Sequence, residues 1–474
     1  MHLILAIQFF SANDFFLFPL CFLILYMIIR YRANGQRDPY VRKIYYQALY
    51  YKIACVLAFT FTSEFYFGGG DTGLYYQSIK DLRAALSDDA NNAFLILQSS
   101  SLERESPLAP YFLYDNYIFD YTFNYMRSPA NFAIPRLGVL PSLIFNNSYL
   151  CIACCFSLFA LGGALRLFKT FYYFYPTLRR ELALAILFLP SVGFWSAALL
   201  KDTICFGCVG FIVYGVFNIF ILKEKVAGSL FWIILGSLLL YVIKTYIFLV
   251  LLLALFIWIF AETNKLIKDK TLRQIFALMT FTLAIGVGFF LVQYFTSADT
   301  LKQYQFENIV SSAEYQRNNY ELVDQQYNQQ TSYYTVNTSN PILLVVNSIT
   351  ATFFRPFVWE VKSAAAVLSA VEALLFLLLT VSLFFSKKGG KAFGLIFKDP
   401  RILMCFVFAI IFSVGVGAST ANFGALSRYK IPCMPFYMIM ILLLYRIAEV
   451  PYPRWFNRIL GKVRKDRIKP AFVH

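Results

Sequence analysis

The run SLFWIILGSLLLYVIKTYIFLVLLLALFIWIF, residues 229–260, contains a single charged residue, Lys244. A helix needs about 20 mostly apolar residues to cross the hydrocarbon core of a bilayer. The run is too long for one comfortable crossing and is interrupted near its middle. It therefore reads as two spans with Lys244 at the turn between them. The same texture recurs on either side. Of 474 residues, 59% are hydrophobic and 14% charged, against roughly 45–50% and about 25% in soluble proteins. A string of soluble domains is excluded, and an all-α polytopic membrane protein is expected.

Eleven spans are expected, at about residues 15–30, 44–66, 147–168, 181–199, 203–222, 227–243, 246–262, 273–295, 363–385, 401–418 and 431–447. They form one transmembrane domain over residues 1–474. Within it lie a first outer loop (67–146) with interfacial helices, a second (296–362) suited to a lid with a re-entrant segment, and a basic tail (448–474). The first apolar run, Leu3–Phe10, lacks a basic flank and does not read as a cleavable signal.

The formal net charge of +16 points to orientation rather than to nucleic acid, because no soluble domain exists to carry that reading. Arg30, Arg32, Arg37, Arg42 and Lys43 share one loop, and alternate loops carry Arg166, Lys169, Arg179 and Arg180, then Lys223 and Lys225, then Lys265, Lys268, Lys270 and Arg273, then Lys387, Lys388, Lys391, Lys398 and Arg401. By the positive-inside rule these face the cytoplasm. The N-terminus is then outside, the C-terminus inside, and both long loops face outward. No cytoplasmic loop could house an enzyme domain. Chemistry is expected on the outer face, where nucleotides are absent, so a lipid-carried substrate is favoured.

The nine cysteines all lie in or beside apolar runs, which argues against a disulfide framework. Cys151 and Cys154, and Cys205 and Cys208, are spaced to share a helix face. Further metal ligands are lacking, since the histidines are His2 and His474; the thiols read as small packing groups.

After the second span comes Gly68-Gly69-Gly70-Asp71-Thr72-Gly73, then a helical stripe of Tyr75, Ile79, Leu82 and Leu86 opposite Lys80, Asp81 and Arg83. This predicts an amphipathic helix on the membrane surface. Pro110–Met126, dense in aromatics, predicts a second. Asp71 is either a helix N-cap or a carboxylate at the membrane surface that receives a proton. Asp88-Asp89 reads as a solvated turn or a metal or acid site, and Asp115 and Asp120 as caps or sugar contacts. In the second loop Tyr304, Tyr315, Tyr320, Tyr327, Tyr333 and Tyr334 among amides suit sugar stacking or a lid. The stretch from Pro341 to Phe354 looks interfacial or re-entrant.

Five outward basic residues stand at span ends: Lys201, Lys244, Arg355, Arg428 and Lys430. They suit a lipid-linked phosphate or snorkelling to headgroups. Within the membrane Lys52 can snorkel, whereas Glu372 is costly unless paired.

Four segments, in this order, carry a resemblance. Asp71 followed by Tyr75 and Tyr76 resembles the first-outer-loop acidic motif of GT-C glycosyltransferases. Pro190–Ser196, ending at Lys201-Asp202, is similar to their outward-rising span. Gly236–Leu249, with Lys244, is similar to their lysine-bearing hairpin. Ser427-Arg428-Tyr429-Lys430-Ile431-Pro432-Cys433-Met434-Pro435 resembles the R-Y-x-x-P-x-x-P stretch before a late span. The chain lacks a second strong acidic motif and a soluble C-terminal domain, and has an extra first span. Polysaccharide repeat-unit polymerases share a similar layout.

The resemblance implies transfer of a sugar from a polyprenyl phosphate or diphosphate to a glycan or lipid hydroxyl, at the outer face of what is expected to be a bacterial inner membrane. Asp71 would be the general base. Lys201, Lys244, Arg355, Arg428 and Lys430 would hold the phosphate, and Tyr75, Tyr76 and Tyr429 would line the substrate site. Asp202 could orient Lys201 or help bind a divalent metal such as Mg or Mn; both stay open. The competing classes are a repeat-unit polymerase, a transporter or flippase built on Glu372 and Lys52, and a structural subunit of an envelope complex.

Overall fold

A computed structural model describes residues 8–112, 119–265, 340–361, 364–420 and 422–460, with isolated positions between 267 and 286. The expected span at 273–295, most of the second outer loop with its tyrosines, the side chains of Asp115 and Asp120, and the tail beyond 460 lie outside the described residues. Among the described residues the chain is helical, without strands. Among the described residues six helices are long and apolar enough to cross a membrane, or up to eight if each of two bent pairs is one crossing. These features are those of an integral membrane protein.

The chain divides into two compact units, Met1–Thr170 with Val192–Thr245, and Phe171–Ser191 with Tyr246–His474. The first contains α1 (Asp14–Asn34), α2 (Pro39–Phe65), α3 (Gly70–Asp88), α4 (Asn92–Gln98), α5 (Phe119–Met126), α6 (Pro129–Ile144) and most of α7 (Tyr149–Phe174). The second holds α8 (Arg179–Leu187). The short α9 (Pro190–Trp195) crosses the unit boundary. α10 (Lys201–Val216), continued by a wider turn to Leu222, belongs to the first unit. α11 (Val226–Asn264) again runs through the boundary. The second unit adds α12 (Pro341–Phe354), α13 (Ala364–Phe384), α14 (Gly389–Gly394), α15 (Pro400–Ser419), α16 (Phe423–Tyr429), α17 (Met434–Ile447) and α18 (Arg454–Leu460).

The helix starts follow local chemistry. Asp38, Asn340 and Asp399 each precede a proline, and each side chain accepts a backbone N–H of the first turn: Tyr40 at 2.8 Å, Ile342 at 2.9 Å and Arg401 at 3.0 Å. The cap satisfies an orphan donor, while the proline sits where no N–H is needed. α11 spans 39 residues and would be about 58 Å long if straight. Lys244 breaks it, with non-helical φ −150° and ψ 79°, so the two spans expected from the sequence meet where the lysine interrupts the apolar run. The expected span at 181–199 is different: it consists of α8 and α9, separated at Phe188-Leu189, and is not one helix.

Close helix approach replaces bulk. In the first unit Gly163 of α7 faces Gly207 and Gly210 of α10; a Cβ on Gly163 would lie 2.2 Å from the Gly207 carbonyl oxygen, and one on Gly210 2.1 Å from that of Gly163. In the second unit Gly417 of α15 meets the backbone of Ser348 on α12, and Thr352 donates to the Ser413 carbonyl at 2.9 Å. Where lipid and side chain are equally apolar, such small-residue contacts supply dispersion and hydrogen bonding in place of a hydrophobic drive.

α1 runs alongside the start of α7. Asp14 accepts from Ser148, and two turns further along Cys21 reaches the thiols of Cys151, Cys154 and Cys155. The cysteines are all free thiols.

Candidate functional site

α2 is followed by Gly68, Gly69 and Gly70, with φ of 63°, 103° and 54°. Side chains rarely tolerate this region, so only glycine turns the chain here cheaply. The turn bends α3 by 94° from α2. If α2 crosses the membrane, α3 lies along its plane. The cap position of α3 is Gly69, and no side chain caps it. Asp71 is therefore not the N-cap. It is half-buried in the first turn, where the helix dipole favours a negative charge.

Four residues further, Tyr75 is fully buried. Its hydroxyl lies 3.1 Å from that of Tyr125 and donates to Asn131 Oδ1 at 3.4 Å. Lys201 Nζ donates to the same oxygen at 2.7 Å, and Asn131 Nδ2 donates to the Tyr125 carbonyl at 2.7 Å. The carboxamide is thus fixed from both ends and holds the ammonium at the start of α10. Asn131 and Tyr125 were not among the expected site residues. The available signal was one carboxamide among the apolar residues that open α6.

Other expected residues have structural partners. Tyr76 is buried; its hydroxyl donates to the Asn147 carbonyl at 2.7 Å and Lys80 sits 4.1 Å above its ring. It ties α3 to the turn between α6 and α7. Asp202 is fully buried in the first turn of α10 and is ion-paired with Lys244. Lys244 is thus one partner of Asp202. Among the described residues no group of three or more His, Cys, Asp or Glu is placed to hold a metal ion. Lys52 does not snorkel: it is buried and donates to Ser196 Oγ and to the Gly193 carbonyl. Gly193 also leaves room for the neighbouring Tyr51, since a Cβ there would lie 2.3 Å from Tyr51 Oη.

In the second unit Arg355 is clamped by Glu360 through two nitrogens, with Nε to Oε1 at 3.0 Å, and packs 5.2 Å above the ring of Phe423. Lys430 is buried and donates to the Arg355 carbonyl at 3.4 Å. Its charge also acts on Glu372. Arg428 and Tyr429 are half-buried beside one another, the guanidinium 5.7 Å from the ring. Glu372 has the pairing its cost demands: its carboxylate accepts both the N–H of Ser191, at 2.8 Å, and the Ser191 hydroxyl.

The expected residues therefore fall into two groups. Asp71, Tyr75, Tyr76, Lys201, Asp202 and Lys244 belong to the first unit, and Arg355, Arg428, Tyr429 and Lys430 to the second. Half-exposed polar groups that could meet a ligand are Asp71 and Lys201 in one, and Arg428 and Tyr429 in the other. Comparison with family models, with curated proteins and with solved structures returns no match.

Proposed function

We propose that this chain is an integral membrane glycosyltransferase that takes a sugar from a polyprenyl phosphate or diphosphate and delivers it to a glycan or lipid hydroxyl at the outer face of the cell membrane. In this reading the chain crosses the membrane eleven times, with the N-terminus outside and the basic C-terminal tail in the cytoplasm. The observation that carries it is Asp71: a carboxylate on the first turn of a helix set at a right angle to the preceding span.

The acceptor oxygen attacks the anomeric carbon as the carbon–oxygen bond to the phosphate breaks. The phosphate leaves with the bonding electrons, and Asp71 takes the hydroxyl proton. Base catalysis of this kind contributes about 10²–10⁴-fold. Lys201, presented by Asn131, stabilises the charge that grows on the leaving phosphate, a preorganised electrostatic role. Tyr75 supports Asn131 rather than touching the sugar. Lys244 and Asp202 neutralise one another and brace the start of α10. Arg355 and Lys430 act through the backbone they hold.

Mass spectrometry of the lipid that co-purifies with the protein tests the class and the donor together. A polyprenyl phosphate bearing sugar supports the reading. Recovery of bulk phospholipid alone, from protein purified in mild detergent, counts against it.

A further inference from the structure

The surface helix expected at residues 74–86 was to lay its apolar stripe on the membrane. The structure uses that stripe otherwise. Tyr75, Ile79 and Leu82 are buried, and α3 packs on α6, where a Cβ on Gly138 would lie 2.3 Å from Ile79 Cδ1. The outward side of α3 and the turn after it show Ser87, Asp88 and Asp89, a face suited to water.

The apolar exterior of this layer belongs to its neighbours. On α6, Leu140 and Ile144 are 68% and 64% exposed, together with Leu137 and Leu143; on α4, Phe94 and Leu97 are 69% and 78% exposed. Spacings of three, four and seven residues put the α6 group on one helix face. That face bears no charge. Arg136 is the one ionisable residue of α6, and it turns back to the C-terminal end of α4, donating to the Ser99 carbonyl at 2.6 Å and to that of Leu97 at 3.4 Å. A guanidinium placed there complements the partial negative charge of the helix end and removes the one group that would resist apolar surroundings.

The patch is continuous with membrane-crossing structure. α6 is joined to α7 by a turn whose Asn146 and Asn147 are left-handed, with φ 46° and 59°. Arg83 locks that turn, donating to the Ser142 carbonyl at 2.7 Å and to Asn146 Oδ1 at 3.1 Å. α7 then supplies one of the long apolar helices.

We infer that the α4–α6 face is the surface by which the first outer loop seats in the bilayer, with the acyl chains of the outer leaflet as its occupant. Leu140 and Phe94 enter the acyl region, and the polar side of α3 faces water. This placement stands independently of the proposed chemistry, so failure of one leaves the other untouched.

The test is spin-label accessibility in the full-length protein reconstituted in lipid nanodiscs, on a Cys155→Ser background, because the other native thiols are buried. Labels at Leu140→Cys and Phe94→Cys are expected to be several-fold more accessible to dissolved oxygen than to a water-soluble nickel chelate, relative to a label at Ser87→Cys. Equal chelate accessibility at all three positions would overturn the proposal. Should a cysteine variant fail to fold, Leu140→Trp decides the question by the fluorescence it adds to that of the five native tryptophans of the parent chain: quenching of that added signal by brominated lipid supports insertion, and its quenching by aqueous iodide instead refutes it.

Discussion

The short helix α9 begins on the carboxylate of Glu372, whereas α3 begins with Asp71 in its own first turn. Both carboxylates meet a helix N-terminus, where the backbone dipole welcomes negative charge. Glu372 is buried and gives its two oxygens to the N–H and hydroxyl of Ser191. Asp71 is half-buried, after a glycine turn that bends the chain through 94°. Asp202, in the first turn of α10, is a third case, buried and ion-paired with Lys244. An ionisable residue within a span is by default a functional candidate. Here the two buried carboxylates each hold the start of a helix, and the half-buried one is the group to which the proposed chemistry gives the proton.

The comparison can be broken by stability measurements. The largest effect is expected for Lys244→Ala, which leaves Asp202 buried without its counter-charge and costs about 3–5 kcal/mol. Pairing Lys244→Met with Asp202→Leu should recover most of that loss in detergent unfolding curves, since an apolar pair of similar volume replaces a buried ion pair well. If the double variant is as unstable as the single one, the pair is not the brace described.

Glu372→Ala comes next. It removes two hydrogen bonds to a charged acceptor and should destabilise the protein by about 3 kcal/mol. A variant that unfolds no earlier than the parent would return Glu372 to the functional side of the comparison and favour a transporter. Gly163→Ala forces a methyl group against the Gly207 carbonyl and should cost about 1–3 kcal/mol through overpacking. An unchanged midpoint would mean that α7 and α10 are not in backbone contact. The smallest structural effect is expected for Asp71→Asn, within about 1 kcal/mol, the usual scale of a charge–dipole contact at a helix terminus.

Much of the architecture could be read from residue order. Asp-Pro and Asn-Pro pairs mark helix starts, and Lys244 marks the break in the longest apolar run. The helix at 70–88 follows from its stripe. What covers that stripe does not follow from its own residues, because Ile79 packs on Gly138, far along the chain. The same holds for Cys21 beside Cys151 and for Lys52 on Ser196: periodicity identifies a buried face and is silent on its partner. In the site, Asp71 and Lys201 were legible from position and charge. Asn131 was not, since a carboxamide announces itself only through the two groups it joins. Pro190 misled for a physical reason: an apolar segment of span length still breaks where proline and a serine-bound carboxylate restart the helix.

In the proposed mechanism Asp71 takes the acceptor's proton. The direct measurement is sugar transfer by purified Asp71→Asn protein in nanodiscs, given a polyprenyl-linked sugar donor and the acceptor, beside the parent chain and with unfolding midpoints recorded for both. The account predicts a fall in kcat of about 10²–10⁴-fold with the midpoint essentially retained. Transfer at the parent rate by a folded Asp71→Asn protein would contradict it.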